Sequence, residues 1–163
     1  MNNYQLSPAG AAFILREGHE GVRLKPYLCS AGVPTIGGGC TTYENGKKVT
    51  LLDPAITMER ALTLFHNRAK EFELCVNRTV QVKLEQHQFD ALVSLAFNCG
   101  VGTPNKNGFS RPCEVLRCLN AGDEKGLIEW WQKSFVTANG VISKGLQLRR
   151  LDELKLYLNG KYN

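Results

Sequence analysis

Residues Glu20–Gly39 read EGVRLKPYLCSAGVPTIGGG, and the rest of the chain is best interpreted outward from them. Two short apolar runs flank a tight segment, Ser30-Ala31-Gly32-Val33-Pro34, and the second run ends in Gly37-Gly38-Gly39. Gly and Pro at such intervals predict short strands joined by tight turns. Asn45-Gly46, a hairpin turn signal, extends the strand region to about Leu52.

Upstream, Ser7-Pro8 predicts a helix start, Ser as N-cap and Pro in the first turn, with Gly18 as the stop. Downstream the apolar period changes. Leu62, Phe65, Ala69, Phe72 and Val76 recur at steps of three and four, predicting a long helix over 58–76 capped by Thr57. Phe89, Leu92, Val93, Ala96 and Phe97 predict another over 85–99, ended by Gly100. Shorter helices fit 112–120, 123–134 and 145–158. The expected fold class is α+β, mostly α: one domain over 1–163 with two lobes. A small mixed lobe spans about 10–57, a connecting helix 58–77, and a helical lobe 78–163, which the N-terminal helix joins. Two lobes on one helix leave a cleft fit for an extended substrate.

Composition narrows the function classes. A net charge of +5 favours approach to an anionic polymer, but the basic residues are scattered, with Lys47-Lys48 and Arg149-Arg150 the only doublets. No nucleic-acid motif or basic stripe is present, so no nucleic-acid partner is expected. No apolar run approaches the roughly 18 residues needed to span a bilayer, and stable membrane association is not expected. The start, Met1 to Pro8, lacks a basic region followed by an apolar stretch, so residence in a cytosol is expected. The six cysteines follow no disulfide framework and form no CxxC pair, which predicts free thiols and no zinc site. No metal or cofactor is expected.

Breaking a glycosidic bond needs a proton donor for the leaving oxygen and a second group across the sugar. Glu20 lies where the first helix gives way to the strands, a natural cleft wall, and partial burial favours the protonated, donating form of a carboxyl. A hairpin through residues 30–34 would bring the Cys29 thiol and Thr35 hydroxyl to one end of the strand pair, able to hold a water or present a nucleophile. Read in isolation, residues of these types are more often solvated or packed than functional. Phe109-Ser110, after the glycine-rich stretch from Gly100 to Gly108, is a candidate cleft lining from the helical lobe. Trp130-Trp131 reads as one core and one rim residue.

The stretch Glu20–Gly39 resembles the active-site segment of the phage-type lysozymes, glycoside hydrolase family 24. That family shows a Glu, eight residues, an Asp, five residues and a Thr, followed by Ile-Gly; Glu20, Cys29 and Thr35 fall at those spacings. The resemblance continues at Gln86–Gly100 and at Lys144–Leu154. It implies a lysozyme-like fold and an endolysin, a muramidase hydrolysing the β-1,4 bond between N-acetylmuramic acid and N-acetylglucosamine in peptidoglycan. Glu20 would be the general acid, Thr35 would position the water, and Arg149 would pair with the acid, with Arg150 as the alternative register. A monomer held in the host cytoplasm until a holin lesion releases it to the wall is expected.

Two positions depart from the family pattern. Cys29 stands where Asp is usual, and Cys40 where His is frequent. A thiol of ordinary pKa, about 8.5, is mostly uncharged near neutrality, so Cys29 either holds a water with Thr35 or attacks as a thiolate. Two competing readings remain. Cys29 with His19, His66 or His87 would make a cysteine amidase of the cell wall, and loss of turnover would leave a peptidoglycan-binding protein.

Overall fold

The computed structural model describes residues 3–29, 31–110 and 113–163. Helix α1 (Pro8–Leu15) starts as its sequence predicts: the Ser7 hydroxyl accepts from the Gly10 amide at 2.9 Å, and Pro8 occupies the first turn. It stops short of Gly18 because Arg16 is already extended. The residues after it form a turn in which the Glu20 amide donates to the Ile14 carbonyl at 3.1 Å and the Gly21 amide to the Arg16 carbonyl at 3.2 Å.

Strands β1 (Arg23–Leu28) and β2 (Pro34–Gly37) form an antiparallel hairpin in which Tyr27 pairs with Thr35 and Leu28 with Pro34. Continuous strands to Leu52 are not found. Gly37 and Gly39 turn left-handed, at φ 62° and 82°, which takes the backbone out of the extended region. Beyond them only isolated bridges, Ile36 with Cys40 and Thr42 with Lys48, continue the pattern. The Asn45-Gly46 turn forms, its Gly at φ 80° and the Asn45 side chain accepting from the Lys47 amide at 2.9 Å.

Helix α2 (Met58–Thr79) is capped by Thr57 and runs past its expected end. Its buried stripe serves two cores. Leu64 packs with Ile36, Cys40 and Val49 in a small cluster, whereas Phe65, Ala69, Phe72 and Val76 belong to the large one. One helix shared by two separate cores is the physical basis of a two-lobed molecule. Leu62, part of the expected stripe, lies instead on the exposed side.

The large core is organised on α3 (Gln86–Cys99), which is buried from Phe89 to Phe97. A helix buried on all sides must satisfy its polar side chains internally, and Asp90 and Ser94 do so. Asp90 accepts from the Ser7 amide at 3.1 Å, the Ser7 hydroxyl, Gln86 at 2.9 Å and the Tyr162 hydroxyl at 2.7 Å. Gly10 lets α1 approach this carboxylate, since a β-carbon there would lie 2.5 Å from Asp90 Cγ.

On α3 packs α6 (Lys144–Asn159), on α6 packs α5 (Glu124–Lys133), and on α5 packs α4 (Glu114–Ala121). Trp131 on α5 is fully buried and Trp130 lies at the rim, as expected. Between α5 and α6 is a hairpin not anticipated from sequence, β3 (Thr137–Ala138) with β4 (Val141–Ile142). Its turn is Asn139-Gly140, with φ 52° and 78°; this is the same dipeptide signal recognised at Asn45-Gly46. Among the described residues no helix is long and apolar enough to cross a membrane.

Candidate active site

The turn after α1 places the Glu20 carboxyl against the start of α6. Arg149 Nη1 donates to Glu20 Oε1 at 2.7 Å, and the Arg149 side chain is 3% exposed against 19% for Glu20. The second oxygen, Oε2, faces Gly39: a β-carbon at that glycine would come within 2.8 Å of it. The two carboxyl oxygens therefore have different surroundings. Oε1 is engaged by a guanidinium, which can only donate. Oε2 occupies space that a glycine keeps open.

Arg149 is held on its other sides. Its Nε donates to Glu153 Oε1 at 3.1 Å, and its Nη2 lies 3.3 Å from the Ser94 carbonyl oxygen and 3.4 Å from the Ser94 hydroxyl. The neighbouring Arg150 turns elsewhere, to Asn98 at 3.0 Å and to Glu153. The first register, Arg149 on Glu20, is the one formed.

Across the hairpin, Thr35 is almost fully buried and its hydroxyl donates to the Val33 carbonyl at 2.8 Å. The Cys29 amide donates to that same carbonyl at 3.0 Å, so one acceptor ties the two residues together. Burial opposes ionisation of the Cys29 thiol. Hydrogen bonds from the backbone at Val33 and Ala31 and from Thr35 outweigh it, and the thiol lies below its ordinary value. Thr35 has a single proton, so it satisfies Val33 or the sulfur, not both at once.

The hydrogen bonds that tune this thiol come from no imidazole. His19 Nε2 lies 3.1 Å from Arg16 Nη2, His66 packs edge-on to Phe65, and His87 lies beside Glu85. Among the described residues no thiol–imidazole pair of the kind a cysteine amidase needs is formed with Cys29.

Phe109 does not line a cleft. It is fully buried in the large core, where no sugar can reach it. Ser110 donates to the Val101 carbonyl at 2.6 Å and so closes the loop that begins at Gly100. The apparent glycine-rich surface loop is a folded turn, with the Phe109 amide on the Gly100 carbonyl at 2.8 Å.

Sequence reasoning missed Tyr27, Glu153 and Ser94. Tyr27 has its hydroxyl pushed above its ordinary pKa by burial and then by the charge of Glu20, with Cys29 adding to the effect. Arg23 lies over its ring, 4.4 Å from the centroid. Glu153 and Ser94 complete the shell of Arg149. The available signal was Arg149 and Arg150 placed four and three residues before Glu153, which puts all three on one helical face.

The class defined by this fold and site is matched by independent comparison. The family profile described as Phage lysozyme matches residues 17–153. The chain is 32% identical over 155 residues to an endolysin of Acyrthosiphon pisum secondary endosymbiont phage 1, covering 93% of this chain and 97% of that one. It is 40% identical over 116 residues to the endolysin of Salmonella phage P22, covering 71% and 73%. Its structure resembles the solved endolysin from Escherichia coli O157:H7 phage FAHEc1 with a TM-score of 0.84 and 33% identity, over 99% of this chain and 98% of that one. The chain belongs to the phage lysozyme family, and it is a glycoside hydrolase of the lysozyme type.

Proposed function

We propose that Glu20 is the general acid of a muramidase that cuts the β-1,4 bond between N-acetylmuramic acid and N-acetylglucosamine in peptidoglycan. The observation that carries this reading is the asymmetry of its carboxyl. Arg149 holds Oε1, so a proton for donation resides on Oε2, in the space Gly39 leaves open. From there it passes to the departing glycosidic oxygen, and a positive charge develops at the anomeric carbon. Cys29 and Thr35 hold a water on the other side. With Thr35 committed to Val33 as a donor, its oxygen lone pairs accept from that water and aim it at the carbon.

A second reading is favoured by the lowered Cys29 thiol. The thiolate attacks the anomeric carbon, a C–S bond forms as the C–O bond breaks, and the leaving oxygen takes the Glu20 proton. Water then hydrolyses the thioglycoside and returns a proton to Glu20. The product decides between the two: an α anomer means a single displacement by water, and a β anomer means the covalent route.

The molecule's lobes correspond in this reading to 10–57 and 78–163 with 58–77 between them, the glycan lying in the cleft. The enzyme works as a monomer that waits in the host cytoplasm and reaches the wall through a holin lesion to lyse the cell. It needs no metal or cofactor. Glu20→Gln tests the central step. General acid catalysis contributes roughly 100- to 10,000-fold, so digestion of purified murein by a folded Glu20→Gln protein is expected to fall by at least the lower figure. Digestion at the native rate would end the assignment.

A further inference from the structure

Glu153 has no exposed surface, yet it is the most heavily shared carboxylate in the protein core. Its Oε1 accepts from Ser94 Oγ at 2.7 Å, Arg149 Nε at 3.1 Å and Arg150 Nη2 at 3.0 Å. Its Oε2 lies 2.8 Å from Arg150 Nε and 3.4 Å from Trp131 Nε1. Two guanidiniums that are 3% and 0% exposed thus face one fully buried carboxylate. A buried excess of charge is costly. The cluster is neutral only when Glu20 is ionised on Arg149, and it carries one positive charge whenever Glu20 holds a proton.

We propose that Glu153 is a positioning residue of the lysozyme reaction, one that aims Arg149 at Glu20 and offsets the paired arginines so that the acid can hold the proton it donates. The inference rests on the reading of Glu20 as that acid. Its geometric half follows from the guanidinium itself. With Nε on Glu153, Nη2 on Ser94 and Nη1 on Glu20, all three nitrogens are fixed, and the planar group has no freedom to turn. Loss of Glu153 releases the first of these anchors and leaves Glu20 as the sole countercharge to the two guanidiniums.

The electrostatic half depends on the groups around the cluster. From the turn after α1 comes His19, which burial holds neutral down to about 3. Beyond it the Arg16–Asp152 pair is internally matched. From α3 come Ser94, Asn98 and the Cys99 thiol, which burial pushes up to about 12, and from α5 comes the Trp131 indole. On the hairpin side, the Tyr27 hydroxyl and Cys40 thiol are both held neutral by burial. None of these supplies the negative charge that Glu153 provides.

The sign is therefore fixed. Removing the Glu153 charge increases the positive field at Glu20, so the donating proton is lost at lower pH. Removing Arg150 does the reverse. The test measures kcat/KM on soluble, uncrosslinked glycan strands from pH 4 to 9. Glu153→Gln is expected to move the upper limb of the profile down by about one pH unit, as a nearby charge of that sign does. Arg150→Met, which leaves one arginine matched to one glutamate in the core, is expected to move it up. A uniform loss of rate with both limbs unmoved means a structural role and overturns the proposal. If Glu153→Gln does not fold, the direction of the Arg150→Met shift decides alone. Glu20→Gln measured alongside separates the two ideas. Full activity in that variant removes the acid, whereas an inactive Glu20→Gln with unmoved limbs removes only the role of Glu153.

Discussion

Gly39 and Glu20 approach so closely that a single methyl group at the glycine would stand 2.8 Å from the carboxyl oxygen left free by Arg149. The glycine is needed twice, for this space and for its backbone angle of φ 82°.

Gly39→Ala is accordingly expected to cost both stability and activity, whereas Gly46→Ala should cost stability alone. Gly46 has nearly the same angle, φ 80°, but nothing within 4 Å of an added β-carbon. A left-handed alanine costs about 1–2 kcal/mol, or a few degrees of Tm in a protein this size, by roughly 2–4 °C per kcal/mol. Thermal unfolding should show similar losses in both variants. Murein digestion should fall by about tenfold or more only in Gly39→Ala, an estimate based on misplacement of a catalytic group. Equal activities would mean that the carboxyl has other room.

Cys29 differs from the other five cysteines in the direction of its shift. Burial pushes Cys40 up to about 11 and Cys99 up to about 12, and it raises Cys75, Cys113 and Cys118 as well. The thiolate is the reactive form. Iodoacetamide at pH 7 is therefore expected to label Cys29 first, with lytic activity lost in step with that single modification. Peptide mapping by mass spectrometry gives the site, and earlier labelling of any other cysteine contradicts the assignment.

His19 predicts an acid-sensitive fold. Its Nε2 faces a guanidinium, which only donates, so the ring is neutral with its proton on Nδ1. Burial, then Arg149 and Arg16, lowers its pKa from 6.5 to about 3. A depressed folded value means that this contribution to stability is complete above pH 6.5 and is lost progressively as pH falls toward 3. His19→Gln keeps an acceptor for Arg16 without a titrating ring. The drop in Tm between pH 7 and pH 4.5 should be smaller in the variant than in the native protein. Parallel curves would show that the histidine takes no part in acid unfolding.

Much of this architecture was legible because its signals are local. Ser7-Pro8 and Thr57 cap the helices they predict, Gly100 ends α3, and Gly32 and Pro34 mark the turn between β1 and β2. What escaped reading depends on contacts distant in sequence or on competing local conformations. Gly37 and Gly39 broke an expected strand by turning left-handed. Phe109 was a candidate cleft lining, yet its amide is tied back to the Gly100 carbonyl and its ring is buried in the large core. The β3–β4 hairpin carried its own Asn-Gly signal but is only two residues long on each side. Nothing local to Glu153 announces that Ser94 and Trp131 will close over it.

The ion pair between Glu20 and Arg149 joins positions 129 residues apart. Ribosomes deliver roughly 5–20 residues per second, so the Glu20 carboxyl emerges roughly ten seconds before the guanidinium that orients it. A half-made chain already carries every group of the hairpin but has no assembled centre. With Glu20 as the proposed acid, cutting of the wall requires α6 to be docked, and a message truncated before that helix is expected to yield an inactive polypeptide.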